Sequence, residues 1–244
     1  VATSLKTAGD VFASPPQLIP VNPVLSAYQE AVFTNSVVQR AMLSSLIIAT
    51  GTTLLTLLLA TPAAYALARL RLRGAGVVIL LLVLSQLLPA IVVAGPLFVM
   101  FSRLDLTNTY QAIILPSIAS IFIIFYFRQA TKAFPHELRD AARIDGLKEW
   151  QIFLHVYMPV MRSTYAAATI IVFMTHWNNY LWPLIVLQTN DMFTMTLAIA
   201  ALNAGYTPDF GVIMVGAIIA TLPTLIIFFL LQRRFVEGML GAVK

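Results

Sequence analysis

The chain has 244 residues, 59% of them hydrophobic and only 10% charged, with a mean hydropathy of +0.87. Fifteen Lys and Arg with ten Asp and Glu are too few to cover a water-soluble domain of this length, so composition alone assigns an integral membrane protein. The net charge of +5 therefore does not point to nucleic acid and has to be read by position. The absence of Cys excludes disulfides, thiolate nucleophiles and Cys-ligated metal centres.

In chain order, residues 1–40 come first, with Pro15, Pro16, Pro20 and Pro23 in the stretch 12–28. Proline fixes φ and restricts the residue before it, so this segment is expected as an ordered, extended strap rather than a helix. Five stretches then lack Asp, Glu, Lys and Arg: 41–68, 74–102, 106–127, 163–190 and 210–232. Each reaches the ~20 residues that cross about 30 Å of hydrocarbon, and a charge at mid-bilayer costs roughly 2.5–3.5 kcal/mol, so all five are expected as spanning helices. A transmembrane barrel is excluded: its strands alternate apolar and polar residues, whereas 77–84 and 121–127 are almost continuously apolar. Pro62, Pro89, Pro96, Pro116, Pro183 and Pro223 fall inside the spans, where they either kink a helix or break it beside a cavity.

The connecting segments divide the basic residues unequally. Arg69, Arg71, Arg73, Arg128, Lys132, Arg139, Arg143, Lys148, Arg162, Arg233, Arg234 and Lys244 fall on one side, against Lys6, Arg40 and Arg103 on the other. Acidic residues split five and five, and the positive-inside rule makes the basic side cytoplasmic. Residues 1–40 are then extracytoplasmic and the C-terminus cytoplasmic. An upstream helix, giving six spans in all, is expected to carry the strap across; a signal peptide removed after export is the alternative.

The segment 128–162 holds ten charges, six basic and four acidic, and has the character of a folded surface feature. After Pro135, the run His136-Glu137-Leu138-Arg139-Asp140-Ala141-Ala142-Arg143-Ile144-Asp145 reads as a helix with an acidic residue early, stopped at Gly146. A second short helix is expected from Lys148 to about Tyr157, ending before Pro159. Ala141 and Ala142 permit close approach of another backbone. The helix–glycine–helix unit therefore reads either as a docking knob for a cytoplasmic partner or as an amphipathic hairpin on lipid headgroups.

Asp140-Ala141-Ala142, three residues, Gly146, nine residues and Val156-Tyr157-Met158-Pro159 resemble the EAA loop of binding-protein-dependent ABC importer permeases, E-A-A, three, G, nine, I-x-L-P. Asp replaces the first Glu, Val the Ile and Met the Leu. Phe134-Pro135-His136-Glu137-Leu138 before the loop and Trp177-Asn178-Asn179-Tyr180-Leu181-Trp182-Pro183-Leu184 after it are similar to carbohydrate-uptake permeases of the maltose-transporter type. The likeness is to their six-span second component and extends over essentially the whole chain.

That resemblance implies an all-α, multi-span permease domain over 41–244 in the cell membrane. Its partners would be a homologous second permease, two ATPase subunits and an extracytoplasmic solute-binding protein. Glu137, Asp140, Ala141, Ala142, Arg143, Asp145, Gly146 and Pro159 would form the ATPase-coupling loop. ATP and Mg would be bound by the partner ATPases and no cofactor by this chain, which has no G-x-x-x-x-G-K-[ST] loop.

Polar groups inside a span must face protein or water. Trp177, Asn178, Asn179 and Tyr180 form the richest cluster and are candidates for the solute pathway, since amides suit sugar hydroxyls and aromatic planes suit sugar rings; gluing neighbouring helices is the alternative. Ser85 and Gln86 are expected to bond a neighbouring helix. Asn203, Tyr206 and Asp209 belong either to a loop that meets the binding protein or to a plain connection. An enzyme is disfavoured: His136-Glu137 begins a zinc motif that fails at Asp140, and no G-x-S-x-G elbow occurs. An ion-coupled carrier or channel working without an ATPase is the remaining alternative, although His176 is the only ionisable group of its kind in the spans.

Overall fold

A computed structural model describes residues 1–11, 19, 20, 22–70, 72–205 and 208–241, of which 8 and 231–241 by backbone alone. Pro15, Pro16, Arg71, Tyr206 and Lys244 lie outside the described residues. Every regular element among the described residues is helical, as the composition requires of a chain whose backbone must satisfy itself in lipid. Ser36–Arg69, Tyr110–Lys132 and Phe210–Leu230 are each long and apolar enough to cross a membrane. Two further candidates are pairs bent at a short break: Ala75–Gln86 with Ala90–Arg103 by 100°, and Glu149–Val160 with Arg162–Trp177 by 80°.

The five charge-free stretches therefore survive as apolar helical segments, but their ends and straightness differ from expectation. The first helix starts at Ser36, upstream of Arg40, because the Asn35 side chain accepts from the N–H groups of Val37 and Val38 at 3.1 and 3.3 Å. The stretch 74–102 is two helices, not one. Pro89 has no N–H and pushes Leu88 away from helical geometry, and Leu87 and Leu88 close the preceding turn with tight bonds to Leu84 and Ser85. The Ser85 hydroxyl donates to Leu82 of its own helix at 2.9 Å rather than to a neighbouring one.

The third stretch begins late, at Tyr110, because Asp105 and Asn108 adopt φ of 52° and 57° in a turn and Thr109 caps the helix at Ala112. It pauses after Ser117 and resumes at Ile121 under a Ser120 cap. The fourth ends at Trp177: Asn178 and Asn179 break it, and only the short helix Leu181–Val186 follows, with Pro183 in its first turn. The last helix, Phe210–Gly241, absorbs Pro223 without a break and is capped by Asp209, whose carboxylate accepts from Val212 at 3.1 Å.

The chain forms two compact units. One comprises Val1–Ala49, Leu97–Ile113 and Thr175–Ile227. Its cores gather Ala31, Val38, Met195 and Val215 in one cluster and Ile48, Phe101, Ile113 and Val186 in another. Gly211 permits this packing, since a Cβ there would lie 3.0 Å from that of Ala27. The strap folds back on itself here: Ser4 is buried, its hydroxyl lies 2.8 Å from that of Tyr28, and Val24 donates to Leu5 at 2.9 Å. The other unit comprises Thr50–Pro96, Ile114–Met174 and Phe228–Lys244. Small residues Ala60, Ala64 and Ala168 let Ile123, Phe127 and Val172 close one core, and Tyr65, Phe134, Tyr157 and Met161 form another under the charged segment.

Candidate functional site

The charged segment folds as a helix, His136–Ile144, a turn, and a second helix beginning at Glu149. Pro135 leads in with φ −59°, Glu137 lies in the first turn and Arg143 in the last, each complementing the helix dipole. At the far end Leu147 donates to Ala142 and Gly146 to Arg143, both at 3.0 Å, and Gly146 takes φ +82° to complete this cap. A Cβ on Gly146 would meet nothing within 4 Å, so backbone conformation alone requires glycine there.

The two alanines part company. Ala142 is 6% exposed and packs inward, while Ala141 is exposed beside Asp140, Glu137 and Asp145. Leu138 is exposed with them, Ile144 is 87% exposed and Trp150 58%. An outward face thus carries small, acidic and apolar residues together. Pro159 does not end the second helix. The winding loosens to a π turn over Phe153–Tyr157, with Met158 donating to Phe153, and the helix continues through Val160 with Pro159 at the start of the new turn. The extra residue of the π turn removes the clash that a proline makes in regular α-helix.

The inward face is held by Arg143, one of the residues expected in the coupling loop, together with Glu149, Tyr65 and Arg69, which were not among them. Glu149 accepts from Arg139 at 3.0 and 3.3 Å, from Arg143 Nε at 2.8 Å and from the Tyr65 hydroxyl at 3.2 Å. Partial burial raises the Glu149 pKa, but the hydrogen bonds of Arg143 and Arg139 outweigh it and hold the carboxyl below its ordinary value of 4.5. One turn along from Tyr65, Arg69 donates through Nη2 to the carbonyls of Thr131, at 2.7 Å, and Phe134, and faces both ring nitrogens of His136 through Nη1. Tyr157, fully buried, shares a 2.6 Å hydrogen bond with Thr131 and stacks on Phe153. An acid near two arginines was visible in the chain; the contacts from Tyr65 and Arg69, more than 60 residues away, were not.

The second candidate cluster lies at the break after Trp177. Trp177 itself is 1% exposed, and its indole N–H donates to the carbonyl of Ala220 at 2.8 Å, within the turn that Pro223 perturbs. Trp182 donates to Ala112 at 2.9 Å, the carbonyl that Pro116, four residues on, has no N–H to satisfy. Asn179 gives its carbonyl to the Thr196 hydroxyl at 2.9 Å. Downstream, Asn108 accepts from the backbone of Gln188 and Thr189 at 2.9 and 3.2 Å and donates its own N–H to Val186 at 2.9 Å. The break is therefore a braced structure, with Asn178 and Tyr180 exposed on it and Trp177 turned inward as a fastening.

A family profile described as binding-protein-dependent transport system inner membrane component matches residues 58–241. This chain belongs to that family. Among curated relatives, the lactose transport system permease protein LacG of Rhizobium radiobacter is 57% identical over 192 residues, 79% of this chain and 70% of that protein. The arabinooligosaccharides transport system permease protein AraQ of Halalkalibacterium halodurans is 39% identical over 191 residues, 78% of this chain and 68% of that one. The sn-glycerol-3-phosphate transport system permease protein UgpE of Escherichia coli is 30% identical over 241 residues, 96% of this chain and 86% of its own. The fold is shared, at TM-score 0.86 and 20% identity over 96% of this chain and 88% of the other, with a chain of a bacterial ABC transporter involved in import of the acidic polysaccharide alginate.

The chain is thus an inner membrane component of a binding-protein-dependent transport system, a permease and not an enzyme.

Proposed function

We propose that this permease carries a sugar or a glycerol-phosphate-like solute into the cytoplasm, together with a homologous second permease, two ATPase subunits that bind ATP and Mg, and an extracytoplasmic solute-binding protein. The solute class follows from its relatives, which are named for lactose, arabinooligosaccharides and glycerol 3-phosphate. The segment 128–162 faces the cytoplasm, in keeping with its six basic residues, and docks on the ATPases. The observation that carries the docking assignment is the outward face of His136–Ile144: Asp140 and Ala141 exposed beside a nearly naked Ile144. An exposed isoleucine and tryptophan flanking small and acidic groups suit a protein cleft. Gly146 sets the angle at which the face is presented.

Asn178 and Tyr180 line the solute pathway, with Asn179 and Trp177 shaping the break that presents them. A carboxamide and a phenol on a braced backbone offer donors, an acceptor and a ring face to a hydroxyl-rich solute.

The test is purification of the natural complex in mild detergent with identification of every co-purifying protein. Ala141→Glu is expected to release the ATPase subunits, and Asn178→Leu to retain them while weakening uptake. Full uptake and retention in both variants would refute the assignments.

A further inference from the structure

We infer that Tyr65 and Arg69 form a two-point joint through which movement of the docking helix is imposed on the helix Ser36–Arg69. This deepens the docking assignment above and rests on it.

The chain is covalently continuous from the docking helix only into Ile121–Lys132 on one side and toward Arg162–Trp177 on the other. Ser36–Arg69 has no such link; the hydrogen bonds of Arg69 to Thr131 and of Tyr65 to Glu149 join residues 62 and 84 apart in sequence. Tyr65 and Arg69 are four residues apart, which places them on one helical face, and they hold the docking helix at both ends. Arg69 grips the entry, through the Phe134 carbonyl and the His136 ring. Tyr65 reaches the body indirectly: its hydroxyl donates to Glu149, and the same carboxylate binds Arg139 and Arg143, one turn apart on the docking helix.

The chemistry suits transmission. Glu149 is shared by three donors, two of them guanidinium groups, so a displacement of the docking helix moves the carboxylate and, with it, the Tyr65 hydroxyl. Tyr65 is buried and meets Phe153 and Tyr157 edge to face, leaving it little room to yield by changing rotamer. Charge-assisted hydrogen bonds with fixed planar geometry resist extension better than neutral ones. Tyr65 is buried and the Glu149 carboxylate faces Arg139 and Arg143, so these two can be altered without replacing a residue of the outward face.

The experiment uses the complete transporter, with its natural partner subunits and binding protein, reconstituted in liposomes. Tyr65→Phe removes one hydroxyl and Glu149→Gln one charge while retaining shape. The reading is solute moved per ATP hydrolysed, alongside retention of the ATPase subunits. With the joint as described, both variants keep the ATPases, and solute per ATP falls about fivefold, the population ratio that roughly 1 kcal/mol of lost hydrogen-bond strength gives. The double variant falls no further than the worse single one, because both act through one carboxylate. Wild-type solute per ATP in both variants overturns the joint. Loss of the ATPases from either variant also overturns it, because the groups would then hold the docking surface rather than transmit its motion. Failure of the docking assignment itself shows separately, as ATPases retained by Ala141→Glu.

Discussion

Gly146 isolates a single physical effect. Its φ of +82° lies where L-residues are disfavoured, and a Cβ added there meets nothing within 4 Å. Substitution by Ala therefore carries no steric cost against the rest of the protein, and only the left-handed conformation is penalised, by about 1–2 kcal/mol. Asn, which tolerates that region, should cost less, and Val, branched at Cβ, more. The bonds of this cap are Leu147 N–H to Ala142 and Gly146 N–H to Arg143. A penalty of 1–2 kcal/mol raises the open fraction of the turn about 5- to 30-fold. Amide hydrogen exchange of the purified permease, read at Leu147, should accelerate by that factor in Gly146→Ala, less in Gly146→Asn and more in Gly146→Val. Equal exchange in all three, or Asn faster than Ala, would refute the claim that backbone handedness is what glycine supplies.

The alanine pair should divide in the same molecule. Ala142→Glu buries a carboxylate and should lower thermal stability in detergent by several kcal/mol, about the cost of an uncompensated ion, whereas exposed Ala141→Glu should shift it by less than ~0.5 kcal/mol; equal losses would contradict the packing. Trp177→Phe removes the indole hydrogen bond to the Ala220 carbonyl and should destabilise by about 0.5–1.5 kcal/mol, measured by thermal unfolding; an unchanged midpoint with altered solute affinity would restore Trp177 to the solute path. Because Glu149 is held below its ordinary pKa of 4.5, its clamp stabilises fully above that value and is lost as pH falls through the depressed one. The stability advantage of wild type over Glu149→Gln should thus be constant from neutral pH to about 5 and shrink below 4.5; a gap that widens toward acid would reverse the sign assigned here.

The helical content and the apolar segments were legible because the cost of burying charge is large, local in sequence and insensitive to packing. Direction was not. Pro62, Pro96, Pro116 and Pro223 lie within continuous helices, whereas the chain turns at Pro89. At Pro116 the Trp182 indole serves the Ala112 carbonyl left open, whereas before Pro89 the turn closes with Leu87 and Leu88 bonded to Leu84 and Ser85. The helix His136–Ile144 was legible down to its glycine stop, since helix, cap and spacing are properties of consecutive residues. Which of Ala141 and Ala142 faces outward depends on what lies beneath, and the sequence is silent there. Trp177 illustrates the same limit: an indole beside two amides reads as a candidate ligand site, and nothing local shows that its N–H donates to the carbonyl of Ala220, 43 residues on.

The pairing of Trp182 with the carbonyl above Pro116 links two positions that share no bond of their own. Restoring an amide at 116 makes the indole redundant, and removing the indole makes the proline harmful. Trp182→Phe should therefore be more damaging alone than in company with Pro116→Ala, a dependence that a list of single substitutions would never reveal.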